Sequence, residues 1–279
     1  MRLGQARIGV SGWTYPPWRG AFYPPGLAHR RELAHAAARL TSIEINGTFY
    51  GMQHPDSFAH WHDETPDDFL FAVKGPRYIT HFLRGRQAET PVANFLASGV
   101  LRLGAKLGPL LWQFPALHRF DPDNVANFLA LLPHDTEAAA AMAARHDERL
   151  AGRAWTRTDA PRALRHAIEV RHASFAVPAF TELAARAGVA VVWSDAPAWP
   201  HFDILTADFA YARLHGNETL YQSRYTDAEI AAWAARVAAW RRGPPARDAF
   251  VYFDNTDKRE APLDAQRLIA AVAGPEDPV

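Results

Sequence analysis

Short apolar runs alternate with helical patterns along nearly the whole of this 279-residue chain. Apolar runs of about four to eight residues, bounded by turns, are typical of strands buried in a parallel sheet. The pattern predicts eight such strands, at residues 8–11, 42–45, 70–74, 107–114, 167–170, 190–194, 211–214 and 249–253. Strands that alternate with helices in this number favour an α/β fold of the (β/α)8 TIM-barrel type over an open sheet.

Helical patterns fill most of the segments between these strands. They cover residues 30–40, 55–63, 91–103, 122–132, 178–187, 227–242 and 261–273. Thr226 and Glu229 form a capping-box pattern at the start of one helix, and Gly188 is a typical C-terminal stop of another. Residues 135–165 predict a helix and then a polar connection, so an irregular insertion is expected before the fifth strand. We expect one domain over residues 1–279.

The charged residues of the predicted strands share one face and lie near the strand ends. Ile43 and Ile45 flank Glu44, and Ile168 and Val170 flank Glu169. Because strands covered by helices keep their outer face apolar, the charged side chains should point into an enclosed polar space. The C-terminal ends of barrel strands form the active face of such folds. We therefore expect the segment 166–175 to lie at a functional site.

Composition excludes several classes of function. The chain has 30 basic and 30 acidic residues, so it lacks the bulk field that drives binding to nucleic acid or anionic membranes. It has no cysteine, which excludes disulfides, thiolate catalysis and cysteine-bound metals. No apolar run approaches the ~18 residues of a membrane span, and no apolar signal segment is recognised. We expect a cytoplasmic protein without a membrane partner; nucleic acid is not favoured, although local basic patches leave it open.

Lysine is rare, with Lys74, Lys106 and Lys258 set against 27 arginines (30 basic residues less three). A chain that otherwise uses arginine can retain lysine where a compact, titratable ammonium is needed. Lys74, at the end of the third strand, is the best candidate for such a role. Chance retention is the alternative.

A series of motifs resembles the DUF72 family, also called YecE-like proteins. The motifs are GWTYPPWRGAFYP, SIEINGTFY, FAVKGPRYITH, LGPLLWQFP, HAIEVRHASF, SDAP and VYFDNTDKREAP, which occur in this order. The resemblance covers nearly the whole chain and implies a TIM barrel from a bacterium. It implies no reaction, because the family is named for its unknown function.

The predicted barrel mouth collects the candidate site residues. The candidate catalytic residues are Glu44, Glu169, Asp195 and His215. The candidate substrate-binding residues are Trp13, Tyr15, Asn46, Tyr50, Lys74, Tyr78, His81, Gln113, Arg171, Arg213, Asp254 and Asn255. Such mixed polarity in an enclosed space favours shifted pKa values and suits acid and base catalysis. The alternative is that ion pairs such as Glu169 with Arg171, or Glu44 with Lys74, only stabilise the barrel.

Three classes of function fit these residues. The first is a hydrolase or lyase acting on a small anionic or phosphorylated substrate. Lys74, Arg171 and Arg213 would bind the anion, with Glu44 or Glu169 as base and His215 as acid. Lys74 could equally form a Schiff base, which the sequence does not distinguish from anion binding.

The second class is a glycosidase that uses Glu44 and Glu169, with carboxyl groups roughly 5–9 Å apart. Trp13 and Trp18 of the aromatic loop 12–25, together with Tyr50, would stack on sugars, although the rings of the loop could simply plug the barrel. The third class is a non-catalytic binder of a small ligand or of nucleic acid.

The cofactor is unknown. A divalent metal on the predicted carboxylates and His215 is conceivable but not favoured, because no HxH or HExxH spacing occurs and Lys74 and Arg171 would repel a cation.

Overall fold

A computed structural model describes residues 3–216, 219–255 and 259–274. Its parallel strands form a barrel surrounded by helices, which confirms the predicted fold class. The strands are β1 (Ala6–Ser11), β2 (Ser42–Ile45), β3 (Leu70–Lys74), β4 (Leu107–Gln113), β5 (His166–Glu169), β6 (Ala190–Val191), β7 (Trp193–Ser194), β8 (Phe209–Leu214) and β9 (Asp248–Phe253). Lys258 lies outside the described residues.

The strand order is β6-β5-β4-β3-β2-β1-β9-β8-β7, so β6 and β7 are the two ends of the sheet. These two strands are separated only by Val192, whose backbone N donates to the carbonyl oxygen of Ile168 at 3.0 Å. β6 pairs with β5, and β7 pairs with β8. The prediction of one continuous sixth strand is therefore wrong at Val192, because this segment changes its pairing partner there. The change of partner nearly closes the barrel.

The helices lie between the strands, as predicted. They are α1 (Glu32–Ala37), α2 (Gly47–Tyr50), α3 (Pro55–Asp63), α4 (Glu89–Ala97), α5 (Pro122–Leu131), α6 (Thr136–Ala143), α7 (Pro178–Arg186), α8 (Asp227–Arg242) and α9 (Glu260–Ala273). The capping box of α8 is confirmed, since the Thr226 side chain accepts from the backbone N of Glu229 and the Glu229 carboxylate accepts from the backbone N of Thr226.

One predicted helix differs in extent from the structure. The helix expected over 91–103 ends at Ala97, because Gly99 adopts a left-handed φ of 118° and a 3-10 segment, Val100–Lys106, follows. The predicted elements also leave out two short helices, the one-turn helix α2 after β2 and a π-helical turn, Tyr78–Phe82, after β3. Both short helices lie at the C-terminal ends of strands, so they bring side chains to the barrel mouth.

The segment between β4 and β5 agrees with the predicted irregular insertion. After α6 it continues as a 3-10 turn and an extended connection. Two hydrogen bonds hold it in place: the backbone N of Trp155 donates to the carbonyl oxygen of Ala97 at 2.8 Å, and the backbone N of Asp147 donates to the side-chain Oδ1 of Asn94 at 3.0 Å. The insertion therefore packs on α4, outside the barrel.

The strands separate two apolar layers. Ile43, Ile168 and Leu214 belong to the large outer core between the sheet and the helices. A smaller cluster that includes Ala72, Leu111, Ala167, Tyr211, Phe250 and Tyr252 fills the barrel interior. This alternation confirms that the outer face of the strands is apolar. Within the part of the chain that the structure describes, none of the helices has the length and apolar character required to span a bilayer.

Candidate active site at the C-terminal end of the barrel

The centre of the barrel mouth is organised around one arginine, Arg213 of β8, which is completely buried. Its guanidinium donates to Glu44 (Nη2 to Oε1, 2.9 Å; Nε to Oε2, 3.1 Å) and to Glu169 (Nη1 to Oε2, 2.6 Å). It also donates from Nη2 to Asp254 at 2.9 Å and to the hydroxyl of Ser11 at 3.0 Å. Three carboxylates from three different strand ends therefore converge on one cation.

Further donors complete the environment of two of these carboxylates. Tyr211 donates its hydroxyl to Glu44 Oε2 at 2.6 Å, and Ser11 donates to Glu44 Oε1. Arg171 donates from Nε to Glu169 Oε1 at 2.7 Å. Burial alone would raise the pKa of Glu169, but Arg171 and Arg213 hold that pKa well below its ordinary value. Glu169 is therefore a stable carboxylate at neutral pH.

Lys74 ends β3 beside this cluster and is only 7% exposed. Its ammonium lies 4.1 Å from the centroid of the Phe49 ring, and it makes no hydrogen bond or ion pair with any residue that the structure describes. Burial, followed by the nearby charge of Arg213, lowers the pKa of Lys74 from 10.5 to about 8. The alternative pairing of Lys74 with Glu44 does not form, because Arg213 binds Glu44 instead.

His81 lies on the same side of the mouth, 5.1 Å from Phe49 between ring centroids. Its Nδ1 is 2.9 Å from the hydroxyl of Thr80, and its Nε2 is 3.5 Å from Nε2 of Gln113. Burial, together with the charges of Lys74 and Arg171, lowers the pKa of His81 to about 4. The imidazole is therefore neutral at pH 7.

Asp195 and His215 lie on the opposite side, after β7 and β8. Asp195 accepts from the backbone N of His215 at 2.7 Å and from the hydroxyl of Tyr225, and burial raises its pKa. The His215 ring is completely buried, with Nδ1 3.1 Å from Asp254 and Nε2 3.6 Å from Glu169. Neither contact has hydrogen-bond geometry, so both ring nitrogens lack a hydrogen-bond partner among the described residues.

Trp199 and Tyr221 cover this side of the mouth. The Arg171 guanidinium lies 3.7 Å from the centroid of the Trp199 ring, and its Nη1 is 3.5 Å from the Tyr221 hydroxyl. The His215 ring makes edge contacts with both, at 4.8 Å to Trp199 and 5.6 Å to Tyr221. Sequence reasoning missed both residues, because they lie in irregular loops without strand periodicity.

Ser11 and Tyr211 were also missed, although their positions carried a signal. Ser11 ends β1, and Tyr211 lies two residues before Arg213 and so on the same face of β8. Both residues occupy inward-facing positions of their strands, so a search of those positions for uncharged polar residues would have found them.

The predicted aromatic residues form an outer rim. Trp13, Tyr15, Asn46 and Tyr50, together with Trp61, line a cavity of 330 Å³. On the other side of Tyr50, a second cavity of 380 Å³ is lined by residues that include Phe49, Arg77, Tyr78 and Phe82. Tyr50 and Tyr78 are 70% and 46% exposed.

Trp18 does not belong to this rim. It is completely buried and packs with Phe22 and Tyr23 in the outer core, so the expectation that it stacks on a substrate is wrong. Its role is to anchor the loop after β1.

The family model described as "Protein of unknown function DUF72" matches residues 7–278. The chain belongs to the DUF72 family. The UPF0759 protein YecE of Escherichia coli K12 is 29% identical over 109 residues, which are 39% of this chain and 37% of that protein. The UPF0759 protein YunF of Bacillus subtilis 168 is 30% identical over 124 residues, 43% of each chain. The matched segments thus span less than half the length of either relative.

Solved structures of DUF72 proteins agree with the fold. A DUF72 family protein of Thermotoga maritima is 25% identical, with a TM-score of 0.73 over 95% of this chain and 98% of its own. A DUF72 family protein of Enterococcus faecalis V583 is 18% identical, with a TM-score of 0.71 over 96% and 95% of the two chains, and it shows the fold alone.

The DUF72 barrel brings together most of the predicted site residues. Direct contacts join Glu44, Glu169, Arg171, Arg213, His215 and Asp254, while Lys74, His81 and Gln113 lie alongside. Asn255 is directed elsewhere: its amide donates to the carbonyl oxygen of Ser223 at 2.8 Å and to Asp264 of α9 at 3.1 Å. Tyr15 donates its hydroxyl to the carbonyl oxygen of Ser11 and so closes the cluster near β1.

The central carboxylates of this DUF72 site are all paired with guanidinium groups. Among the residues that the structure describes, no group of three or more His, Asp or Glu has an arrangement that could hold a metal ion. Arg213 occupies the position between the three central carboxylates.

Proposed function

We propose that the barrel mouth is the active site of an enzyme, a hydrolase or lyase, that applies acid and base catalysis to a small anionic or phosphorylated substrate. The observation that carries this proposal is that the largely buried Lys74 ammonium has no hydrogen bond or ion pair with any residue that the structure describes. The three central carboxylates are hydrogen-bonded by Arg213 and Arg171, whereas they act on Lys74 only from beyond ion-pair distance. Below its pKa of about 8, this buried cation is stabilised by a bound anion.

Proton transfer is best assigned to the side of the mouth that holds Lys74 and His81. A neutral imidazole can accept a proton at pH 7, and an amine with a pKa of about 8 can donate or accept one. Glu169 is less suited to be the base, because both of its carboxylate oxygens are already bound, Oε1 by Arg171 and Oε2 by Arg213. In this proposal Glu44 and Glu169 hold Arg213 and Arg171 in position.

The geometry counts against a glycosidase that uses Glu44 and Glu169. Such an enzyme needs one carboxylic acid whose pKa is raised, so that it can protonate the leaving group. Glu169 has the opposite shift, and both carboxylates are bound to Arg213 in the completely buried centre. Neither is directed toward an open sugar-binding groove.

Binding of small anions to wild-type protein and to Lys74→Met tests the proposal. Thermal unfolding should be followed with inorganic phosphate, phosphate monoesters and small hydroxy or keto acids, and anions that raise the wild-type Tm should then be screened as esters or acids for turnover. The variant Arg162→Met is the matched control, because the partly exposed Arg162 guanidinium makes only local contacts among the described residues, an ion pair with Asp159 and a hydrogen bond to the carbonyl oxygen of Ala160.

We expect wild type and Arg162→Met to be stabilised by the same anions, Lys74→Met to lose that stabilisation, and His81→Gln to keep binding but lose turnover. Equal stabilisation of Lys74→Met would contradict the proposal. Binding without any turnover would leave a small-ligand binding protein instead of an enzyme.

A further inference from the structure

The barrel contains two buried lysines whose surroundings are opposite. Lys106 is 4% exposed, and its ammonium donates to the carbonyl oxygens of His62 at 2.6 Å and Thr65 at 2.7 Å, with the Thr65 hydroxyl at 3.4 Å. Lys74 is 7% exposed and has no acceptor among the described residues. Lys106 is therefore a fully satisfied structural ammonium, whereas Lys74 is not.

The environment of Lys74 favours the free amine. An ammonium without a hydrogen-bond acceptor in a largely buried site loses most of its hydration, and the Phe49 ring and the nearby carboxylates offset this loss only in part. At pH 7 an amine with a pKa of about 8 is roughly 10% neutral, some 300-fold more than an ordinary lysine. A neutral amine carries the lone pair that a nucleophile needs.

The backbone around Lys74 is held rigidly. Thr48 of α2 donates its hydroxyl to the carbonyl oxygen of Lys74 at 2.6 Å, and the N of Gly75 donates to the carbonyl oxygen of Leu111 at 2.8 Å. The amine is thus presented from the fixed end of a strand, which is the placement that precise catalysis requires.

We propose that Lys74 is the nucleophile of this site and forms an imine with an aldehyde or ketone substrate that carries a carboxylate or phosphate group. The inference rests on the proposed function and narrows its substrate class and reaction type toward a lyase. The amine nitrogen attacks the carbonyl carbon, and the carbonyl electron pair moves to oxygen. Proton transfer from nitrogen to oxygen gives a carbinolamine, and loss of water then leaves the C=N bond. Hydrolysis by water reverses these steps.

His81 and Arg171 supply the remaining requirements. Lys74 and His81 both contact the Phe49 ring, at 4.1 Å and 5.1 Å from its centroid, and the charges of Lys74 and Arg171 both lower the pKa of His81. The neutral His81 accepts the proton that the attacking amine releases and returns it to the departing hydroxyl. Arg171, already oriented by Glu169 and Trp199, meets the negatively charged group of the substrate.

Reductive trapping with simple ketones tests the inference. Full-length protein is incubated with pyruvate or dihydroxyacetone phosphate and cyanoborohydride, which reduces an imine to a stable secondary amine, and the modified lysines are identified by peptide mass spectrometry. The chain has only three lysines, so each is resolved. Lys106 is the internal control, because it is equally buried but fully hydrogen-bonded.

We expect Lys74 to be modified at least about tenfold faster than Lys106, with a rate that saturates in ketone, rises with a midpoint near pH 8 and is slowed by inorganic phosphate. Equal modification of the two lysines, or a rate that stays linear in ketone, would overturn the inference. Lys74→Arg separates the two proposals, because arginine retains the charge but forms no imine under these conditions.

If Lys74→Arg retains anion stabilisation and wild type is not trapped, the imine is refuted and the acid–base proposal survives. The opposite result is that Lys74 is trapped at a rate that saturates in ketone, while no anion stabilises the protein or slows the trapping. That result would support the imine and refute the anionic substrate class.

Discussion

The indole Nε1 of Trp112 donates a hydrogen bond to Nδ1 of His166 over 3.1 Å. Because an indole N–H can only donate, Nδ1 of His166 carries no hydrogen, and its Nε2–H donates to the carbonyl oxygen of Pro133 at 2.7 Å. The ring is completely buried and is fixed as one neutral tautomer. Burial lowers the pKa of His166 to about 4.

This pair predicts a loss of stability in mild acid. The pKa of His166 is about 4 in the folded state and 6.5 as the ordinary value, so the unfolded state binds the proton more readily. The stabilisation is complete above pH 6.5 and is lost as the pH falls toward 4, by on the order of 3 kcal/mol from this group. Urea unfolding at pH 7 and pH 5 measures the loss. The His166→Gln variant should be less stable than wild type at pH 7, but its free energy of unfolding should depend less on pH. The exposed-site variant His60→Gln is the control. If His166→Gln depended on pH as strongly as this control, the assignment would be refuted.

Replacement of the two buried lysines should have opposite effects on stability. Lys74→Met removes an ammonium that has no described acceptor, so its free energy of unfolding at pH 7 should be about 2–3 kcal/mol higher than that of wild type. Lys106→Met leaves carbonyl oxygens of His62 and Thr65 without their donor and should lose about 2 kcal/mol or more. Chemical unfolding of both variants tests this contrast, and a destabilised Lys74→Met would indicate a structural role for Lys74.

The difference in the free energy of unfolding between Lys74→Met and wild type should also depend on pH. The folded pKa of about 8 lies below the ordinary 10.5, so the stability contributed by Lys74 is present at high pH and is lost as the pH falls through 8. Between pH 7 and pH 9.5 the difference between the variant and wild type should shrink by about 2 kcal/mol. A difference that stays constant over this range would show that Lys74 does not titrate near 8.

Loss of Arg213 should unfold the barrel more readily than loss of a surface arginine. Arg213→Met leaves three buried carboxylates without their shared cation, at a cost of about 3–5 kcal/mol at pH 7. Arg162→Met removes a partly exposed pair with Asp159 and a long hydrogen bond to the carbonyl oxygen of Ala160, and it should cost about 1 kcal/mol or less. Unfolding in urea compares the two, and equal costs would mean that the central cluster contributes little.

Gly9 should not tolerate even one added methyl group. A Cβ on Gly9 would lie 1.7 Å from the carbonyl oxygen of Ser42 on the paired strand, so β1 and β2 would have to separate. Gly9→Ala should cost about 3 kcal/mol or more, measured by thermal or urea unfolding. Gly51→Ala is the matched control, because it has open space and an ordinary extended φ of −165°, and it should change stability by less than about 0.5 kcal/mol.

The sequence was sufficient for the fold because its strands are short, apolar and regularly spaced. Their alternation also found Glu44, Glu169 and Arg213, since a buried strand can place charges on only one side. The break at Val192 could not be found in this way. It depends on which neighbours the strand meets, which is a tertiary property with no local pattern.

The partners of each charge were equally inaccessible to sequence reasoning. Parity places Glu44 and Lys74 on the inner face, but it does not reveal that Arg213 reaches Glu44 first and leaves Lys74 without an acceptor. Trp199 and Tyr221 lie in loops, where spacing carries no information about position. Only the distances in the structure show that Arg213 is hydrogen-bonded to Glu44 while Lys74 has no acceptor among the described residues.

The break between β6 and β7 at Val192 also determines which part of the barrel should open most readily. β6 and β7 each pair with their neighbour at only two positions, whereas β8 and β9 pair at six. Amide hydrogens along this seam should therefore exchange with solvent before those of β8 and β9. Asp195 follows directly after the seam and Trp199 lies four residues later, so we expect the backbone on that side of the mouth to exchange sooner than β3, the strand that carries Lys74.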